Sequence, residues 1–342
     1  MSDSKNDYSQ AEAVTGKKSK RDACKRHCAK WWWAHLIIFI IGAVVIVIVA
    51  IYGVTPRIAQ DKINAADLQV QHVKISNPTS DGFDMTINST ITTDGQVKAD
   101  IDPFQGSFYL KGKDKPFLIF PFPATNADKF QNVNAHEHIT IQDMEAFTEF
   151  NAAFIGSETL EVEIKGYTYV TPKGLSKKYG VNFYKSLKFP GLNSFKGTVV
   201  SDAKANYTAD PTKVDNFFAT ATLQNPSYYT IELGNATFNN YSPAGALLGK
   251  LFIDNFNLAP GENKVQTRGR LNQGDVVSYL VSTGDQCGKP NPLVLQGVSV
   301  NNHGQDLPYF GNALHQVNQT VEVNIGEVLS ASLGSNICPK SS

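Results

Sequence analysis

The dominant pattern in the chain is an unbroken apolar run. Positions 31–54 read WWWAHLIIFIIGAVVIVIVAIYGV and hold no Asp, Glu, Lys or Arg. At 1.5 Å per residue, the 19 positions of 36–54 reach about 28 Å, against a hydrocarbon thickness of roughly 30 Å. Many of these residues are β-branched and form helix poorly in water. In hydrocarbon, however, an unpaired backbone group costs several kcal/mol, so helix is the expected state. Trp31, Trp32 and Trp33 at one end and Tyr52 at the other are the expected interfacial anchors. The run is longer than a signal-peptide core and no Ala-x-Ala site follows it, so it reads as a signal anchor.

After position 65 the period changes to two, and the strand plan appears twice. ADLQVQHVKISNPTSDGFDMTINSTI starts at Ala66 and VDNFFATATLQNPSYYTIELGNATF at Val214; in each, alternating residues run into Asn-Pro and a second alternating stretch follows. Proline cannot donate to a sheet ladder and Asn starts turns, so Asn77-Pro78 and Asn225-Pro226 mark bends between strands. The first copy continues with strands expected near 97–110 and 117–123, an amphipathic helix over 142–155, a strand over 159–170 and a last strand pair near 182–188 and 198–203. The second continues with strands near 247–258 and 264–271, a short helix near 275–282, then strands in PLVLQGVSV and LHQVNQTVEVNI. Short alternating strands with one helix per copy predict a mainly β protein: one transmembrane helix followed by two tandem antiparallel β-sandwiches. The expected boundaries are a disordered basic tail at 1–30, the span at 31–54, a linker at 55–65, and sandwiches at 66–203 and 204–342.

The second copy resembles the late embryogenesis abundant type 2 domain. Asn225-Pro226, Leu248-Gly249 and Pro260-Gly261 stand where that pattern has Asn-Pro, Leu-Gly and a Pro-Gly turn before a strand. The first copy keeps Asn77-Pro78 without the other two pairs. A basic tail, one span and tandem domains also resemble fungal vacuolar-membrane proteins. The resemblance implies a β-sandwich, vacuolar or other endomembrane residence and, in some relatives, a lipid-transfer groove.

Charge sets the orientation. The formal net charge is zero, but residues 1–30 hold eight Lys or Arg against four Asp or Glu, which leaves the rest of the chain acidic. The positive-inside rule then places the amino terminus in the cytosol and the bulk of the chain in a lumen, or outside the cell if the membrane is the plasma membrane. Five N-x-[ST] sequons agree with this, since Asn88, Asn206, Asn235, Asn240 and Asn318 all follow the span. Alternation turns Asn88 and Asn318 toward solvent. Asn235 shares the parity of Ile231 and Leu233, so it is reachable only if Gly234 makes a bulge. Cys287 and Cys338 fall on the oxidising side, where a disulfide between them is expected to stabilise the fold by about 4 kcal/mol. Cys24 and Cys28 lie in the cytosolic basic cluster, where reversible acylation and unmodified thiols are both open.

Nothing in the sequence argues for catalysis. There is no phosphate-binding loop, no dinucleotide fingerprint and no G-x-S-x-G elbow. His136-Glu137-His138 puts two histidines on one strand face without a third ligand, so a solvated strand or turn is the simpler reading. Nucleic-acid binding is not expected, because the basic cluster is juxtamembrane. The residue that asks for an explanation is apolar: FLIFPFP presents Phe117, Ile119, Phe120 and Phe122 to both faces of a strand. Met144, Phe147, Phe150 and Phe154 form a helical stripe that covers it, or else helix and strand flank a groove for an acyl chain. The expected function is a non-enzymatic, membrane-anchored glycoprotein without cofactor or metal that binds or transfers lipid at an endomembrane. The alternative is a structural or scaffolding glycoprotein that binds a protein partner without lipid. Membrane lipids are the expected partners, with the cytosolic tail as the surface for a protein partner; oligomeric state and the choice of membrane stay open.

Overall fold

A computed structural model describes residues 20–284 and 288–334. The chain divides into two units, Met1–Ile58 and Ala59–Ser342. Helix α1 (Lys20–Val49) runs through a π-helical turn (Ala50–Val54) into α2 (Thr55–Ala65), of which Ala59 onward belongs to the second unit. The turn is closed by Thr55, whose Oγ1 donates to the Ala50 carbonyl at 2.9 Å. Leu36–Ala65 is one helix long and apolar enough to cross a membrane, and its apolar side chains between Leu36 and Val49 stand exposed. Two expectations are corrected here. Residues 20–30 of the tail are helical, and the linker at 55–65 is α2, where Pro56 sits in the first turn, the part of a helix that tolerates a residue without an amide hydrogen.

The second unit begins as a sandwich. β1 (Asp67–Ser76) and β2 (Gly82–Thr92) pair antiparallel across the Asn77-Pro78 bend, and β7 (Phe130–Thr140) adds to β2. The other sheet holds β3 (Ala99–Ile101), β4 (Phe104–Leu110), β5 (Leu118–Phe122), β6 (Thr125–Asn126), β8 (Thr159–Pro172) and β9 (Tyr179–Pro190). Strand β8 is its spine: β9 takes one edge, while β4 and β3 share the other end to end. Leu160, Val162 and Ile164 of β8 are buried as their alternation requires. Helix α3 (Met144–Gly156) starts where Asp143 accepts a 2.9 Å bond from the Ala146 amide, an N-cap that ends the preceding strand.

The remaining strands do not form a second sandwich. β10 (Val199–Ala205), β11 (Phe217–Asn225), β14 (Gly261–Leu271), β13 (Leu247–Leu258), β12 (Tyr229–Tyr241), β15 (Asn291–Asn302) and β17 (Gln319–Val323) pair in that order. A further β17–β10 pairing closes the ring, carried by the single pair Val199↔Glu322. A short β16 (Gln305–Asp306) hangs on β15, and three helices, α4 (Gln273–Ser282), α5 (Pro308–Gln316) and α6 (Ile325–Leu333), pack around the ring. The expectation of two like sandwiches with one helix each is therefore corrected to a sandwich joined to a seven-stranded closed ring. Part of the segment read as the strand LHQVNQTVEVNI is the end of α5, where Pro308 occupies the first helical turn.

Three connections explain the difference. The strands expected to pair near 182–188 and 198–203 do not: β9 stays on β8 while β10 joins β11. Between them Asn193, Ser194 and Phe195 all take φ near +50° and turn the chain away. The expected boundary at 203/204 thus cuts through a strand of the ring. Second, Asn77-Pro78 joins paired neighbours, whereas Asn225-Pro226 joins β11 and β12, which lie apart in the ring. Buried Asn225 organises that crossing by accepting from the Ser227 amide and hydroxyl and donating to the Tyr229 carbonyl at 2.8 Å. Third, β1 pairs parallel with the start of β12, Val73↔Tyr229 to Ile75↔Ile231, and β15 takes over the same edge from Asn235 onward. The switch falls at Gly234, where φ is +81° and the register slips on both sides.

Candidate functional site

The ring encloses an apolar lumen. Each of its seven strands turns side chains inward: Phe217, Ala221 and Leu223 from β11, Phe238 and Asn240 from β12, Leu293 and Leu295 from β15, Val321 and Val323 from β17, with others from β10, β13 and β14. On β13 the inward residues are Leu248, Leu251, Ile253 and Phe256, a spacing that strict alternation forbids. Two left-handed residues reset the parity, Gly249 at φ +141° and Asn255 at φ +52°. At Gly249 a Cβ would stand 2.2 Å from the Arg270 carbonyl oxygen, so Leu248-Gly249 combines an inward leucine with a residue that only glycine can supply. Gln273 and Val276 of α4, Ile325 and Val328 of α6, and Phe195 complete the wall.

The lumen holds about 110 Å³ of free space. An apolar cavity on this scale accepts one small ring or a short alkyl segment and stays dry without one. No Asp, Glu, Lys, Arg or His lines it. Its polar residues are mostly satisfied by the protein: Asn216 exchanges two 2.8 Å bonds with the Leu271 backbone, Thr267 donates to the Ala219 carbonyl at 3.0 Å, and Gln319 donates to the Val317 carbonyl. Asn240 differs, because its Oδ1 is buried and has no donor. Burial pushes the Tyr207 hydroxyl at the wall up to about 12, so it is neutral at any physiological pH. The arrangement offers dispersion contact, the Asn240 amide and the neutral Tyr207 hydroxyl, and no charged group among the lining residues.

The residues singled out for a groove lie in the other half. Phe117 and Phe150 stack with centroids 4.0 Å apart, Phe83 stacks on Phe147 at 5.3 Å, and Phe154 meets Tyr229 at 5.1 Å. Phe120 is wholly buried, Phe122 packs on Phe104 at 5.1 Å, and Met144 and Ile119 are half-buried at the margin. Helix α3 is the cover that the two-faced strand requires, and its rings are core. The unfilled apolar space lies instead in the second half. Sequence reasoning missed it because lumen-facing and core-facing strands carry the same alternation; the vacancy depends on ring closure, which pairing across more than 120 residues decides.

The sequons fall in different environments. Asn206, Asn235 and Asn318 are exposed and Asn88 is half-buried. The bulge that Asn235 needs is present at Gly234, and its Oδ1 accepts from the Asn255 amide at 3.0 Å. Asn240 is 1% exposed and lines the lumen, so the folded chain has no room for a glycan there. Cys287 and Cys338 lie outside the described residues, and Cys24 and Cys28 lie on α1 with side chains outside them. His136 and His138 bond Thr86 and Asp84 across the strand pair, each at 2.8 Å. Among the described residues no group of three His, Cys, Asp or Glu is placed to hold a metal.

The fold and the site define a closed β-ring with an uncharged apolar lumen, joined edge to edge to a β-sandwich. Residues 115–240 match the family described as "Protein of unknown function (DUF3712)", a stretch that begins in the sandwich and ends at Asn240 in the ring. No curated protein sequence matches the chain significantly. Among solved structures, red sea bream transglutaminase is similar at 11% identity and a TM-score of 0.26, over 76% of this chain and 31% of that one. A Mobiluncus mulieris adhesin is similar at 8% identity and TM-score 0.19, over 68% and 80%. The Bacillus subtilis sporulation control protein Spo0M is similar at 11% and 0.19, over 79% and 97%.

Proposed function

We propose that this chain is a membrane-anchored, non-enzymatic glycoprotein that holds an apolar chain segment in the lumen of its second half, on the lumenal side of an endomembrane. One observation carries the reading: side chains from all seven strands converge on unfilled space that contains no charge. Sites for small apolar molecules are concave, mostly apolar and sparing in polar groups. The helix Leu36–Ala65 supplies the anchor, the basic residues of 16–30 support an amino terminus in the cytosol, and the exposed sequons support glycosylation at Asn206, Asn235 and Asn318. The motif resemblance to late embryogenesis abundant type 2 domains supports the same assignment.

The test is mass spectrometry of the full chain released under native conditions, beside an Ala221→Phe variant that places a ring in the lumen. Wild-type protein is expected to carry an apolar adduct, and the variant to lose it while keeping its melting temperature. Wild-type protein that neither carries nor takes up an apolar molecule rejects the reading and favours a scaffolding role.

A further inference from the structure

We propose that Asn240 is the polar anchor of the lumen and selects uncharged apolar molecules that end in a hydroxyl. The inference rests on the lumen as a binding site and specifies what it takes. Asn240 stands opposite Gly249 on one neighbouring strand and Leu295 on the other, 1% exposed, with its amide among the lumen-lining groups. Its Oδ1 has no donor in the protein, whereas Asn216, Thr267 and Gln319 on the same wall are all bonded to backbone. A buried amide oxygen left without a partner keeps the whole cost of its desolvation, and native proteins rarely tolerate that without a use.

The missing partner must donate. A hydroxyl does so, and its carbon chain would lie among Phe238, Leu251, Leu293 and Val321. A carboxylate or phosphate cannot satisfy Oδ1 and finds no cation to offset its charge, since none lines the lumen. Asn240 also begins a sequon that its burial closes to glycan, so the asparagine acts from inside the ring.

Saturation-transfer titration of the full chain in nanodiscs of phosphatidylcholine with two isomers short enough for the lumen, 1-butanol and methyl propyl ether, tests this. Ala221→Phe, which blocks the lumen, gives the membrane background. Wild-type protein is expected to bind the alcohol about tenfold more tightly than the ether, the scale of one hydrogen bond. Asn240→Leu is expected to bind both alike, at the strength of the wild-type ether complex. Should leucine prevent folding, Asn240→Ser, whose hydroxyl both donates and accepts, is expected to lose the discrimination as well. Equal affinity of wild-type protein for the two isomers overturns the role of Asn240 and leaves the lumen standing. No binding of either isomer above the blocked background overturns both.

Discussion

The hydroxyl of Tyr309 donates a 2.9 Å hydrogen bond to the carbonyl oxygen of Thr79, 230 positions earlier in the chain. Tyr309 belongs to α5, beside the ring, and Thr79 to the first bend of the sandwich. The tyrosine is fully buried, and its ring meets Phe147 of α3 with centroids 5.2 Å apart. Burial, with Asp81 adding to it, pushes the hydroxyl well above its ordinary value, so it stays a donor. Together with the parallel β1–β12 pair, this contact lies on a hydrophobic cluster that runs through both halves, beside a smaller cluster around Leu248 and Leu329 in the ring.

Tyr309→Phe removes the bond and keeps the ring. It is expected to lower stability by about 1 kcal/mol, read from urea unfolding of the full chain. Because the core is shared, wild type and variant should each lose sandwich and ring in one transition.

Phe150→Ala opens the aromatic stack beside Phe117. A loss of about 3–5 kcal/mol is expected from the emptied volume. Uptake of an apolar molecule by native mass spectrometry should be unchanged, since Phe150 does not line the lumen. Loss of uptake at preserved stability would return the ligand to the first half.

Gly234→Ala places a Cβ 2.6 Å from the Asn301 carbonyl oxygen at a φ of +81°. The bulge lets β12 serve β1 and then β15, so the strain cannot be relieved without breaking one pairing. We expect a loss of about 1–3 kcal/mol and faster amide exchange at Asn301 and Asn302.

Asp215 on the outside of the ring gives an acid dependence. Burial opposes ionisation of its carboxyl, but Arg270 and Arg268, each at 2.8 Å, outweigh burial and hold it below the usual carboxylate range. The stabilisation is therefore fully present above the unfolded value of about 3.9 and is lost as pH falls through the lower folded value. Asp215→Asn should flatten that part of the stability–pH curve and cost about 1.5–3 kcal/mol at neutral pH. Urea midpoints between pH 2 and 6 check both.

Lys185 closes the carboxyl end of α2. Its ammonium donates to the carbonyls of Ile63 and Asn64 at 2.9 Å each and to that of Ala66, groups that the ending helix leaves unpaired. Burial lowers its pKa, and Asp67 opposes the shift. Lys185→Met is expected to speed amide exchange across 59–65 by hydrogen–deuterium mass spectrometry while leaving the ring strands unchanged.

What the sequence determined by itself is local. Twenty-four uncharged positions force a helix in hydrocarbon, alternation fixes which face of β2, β8 and β17 is buried, and Asn-Pro marks two bends. The parity of Asn235 required the bulge that Gly234 makes. Helix α3 was legible from its phenylalanine stripe, within one or two residues at either end. Tertiary structure decided what those elements became. Two like Asn-Pro bends join paired strands in one half and separated strands in the other, because partner choice depends on which edges lie free and not on the bend. The lumen was illegible for the same reason. An inward Leu or Val reads alike over a filled core and over empty space, and only the circumference set by seven strands closing on one another leaves room between them.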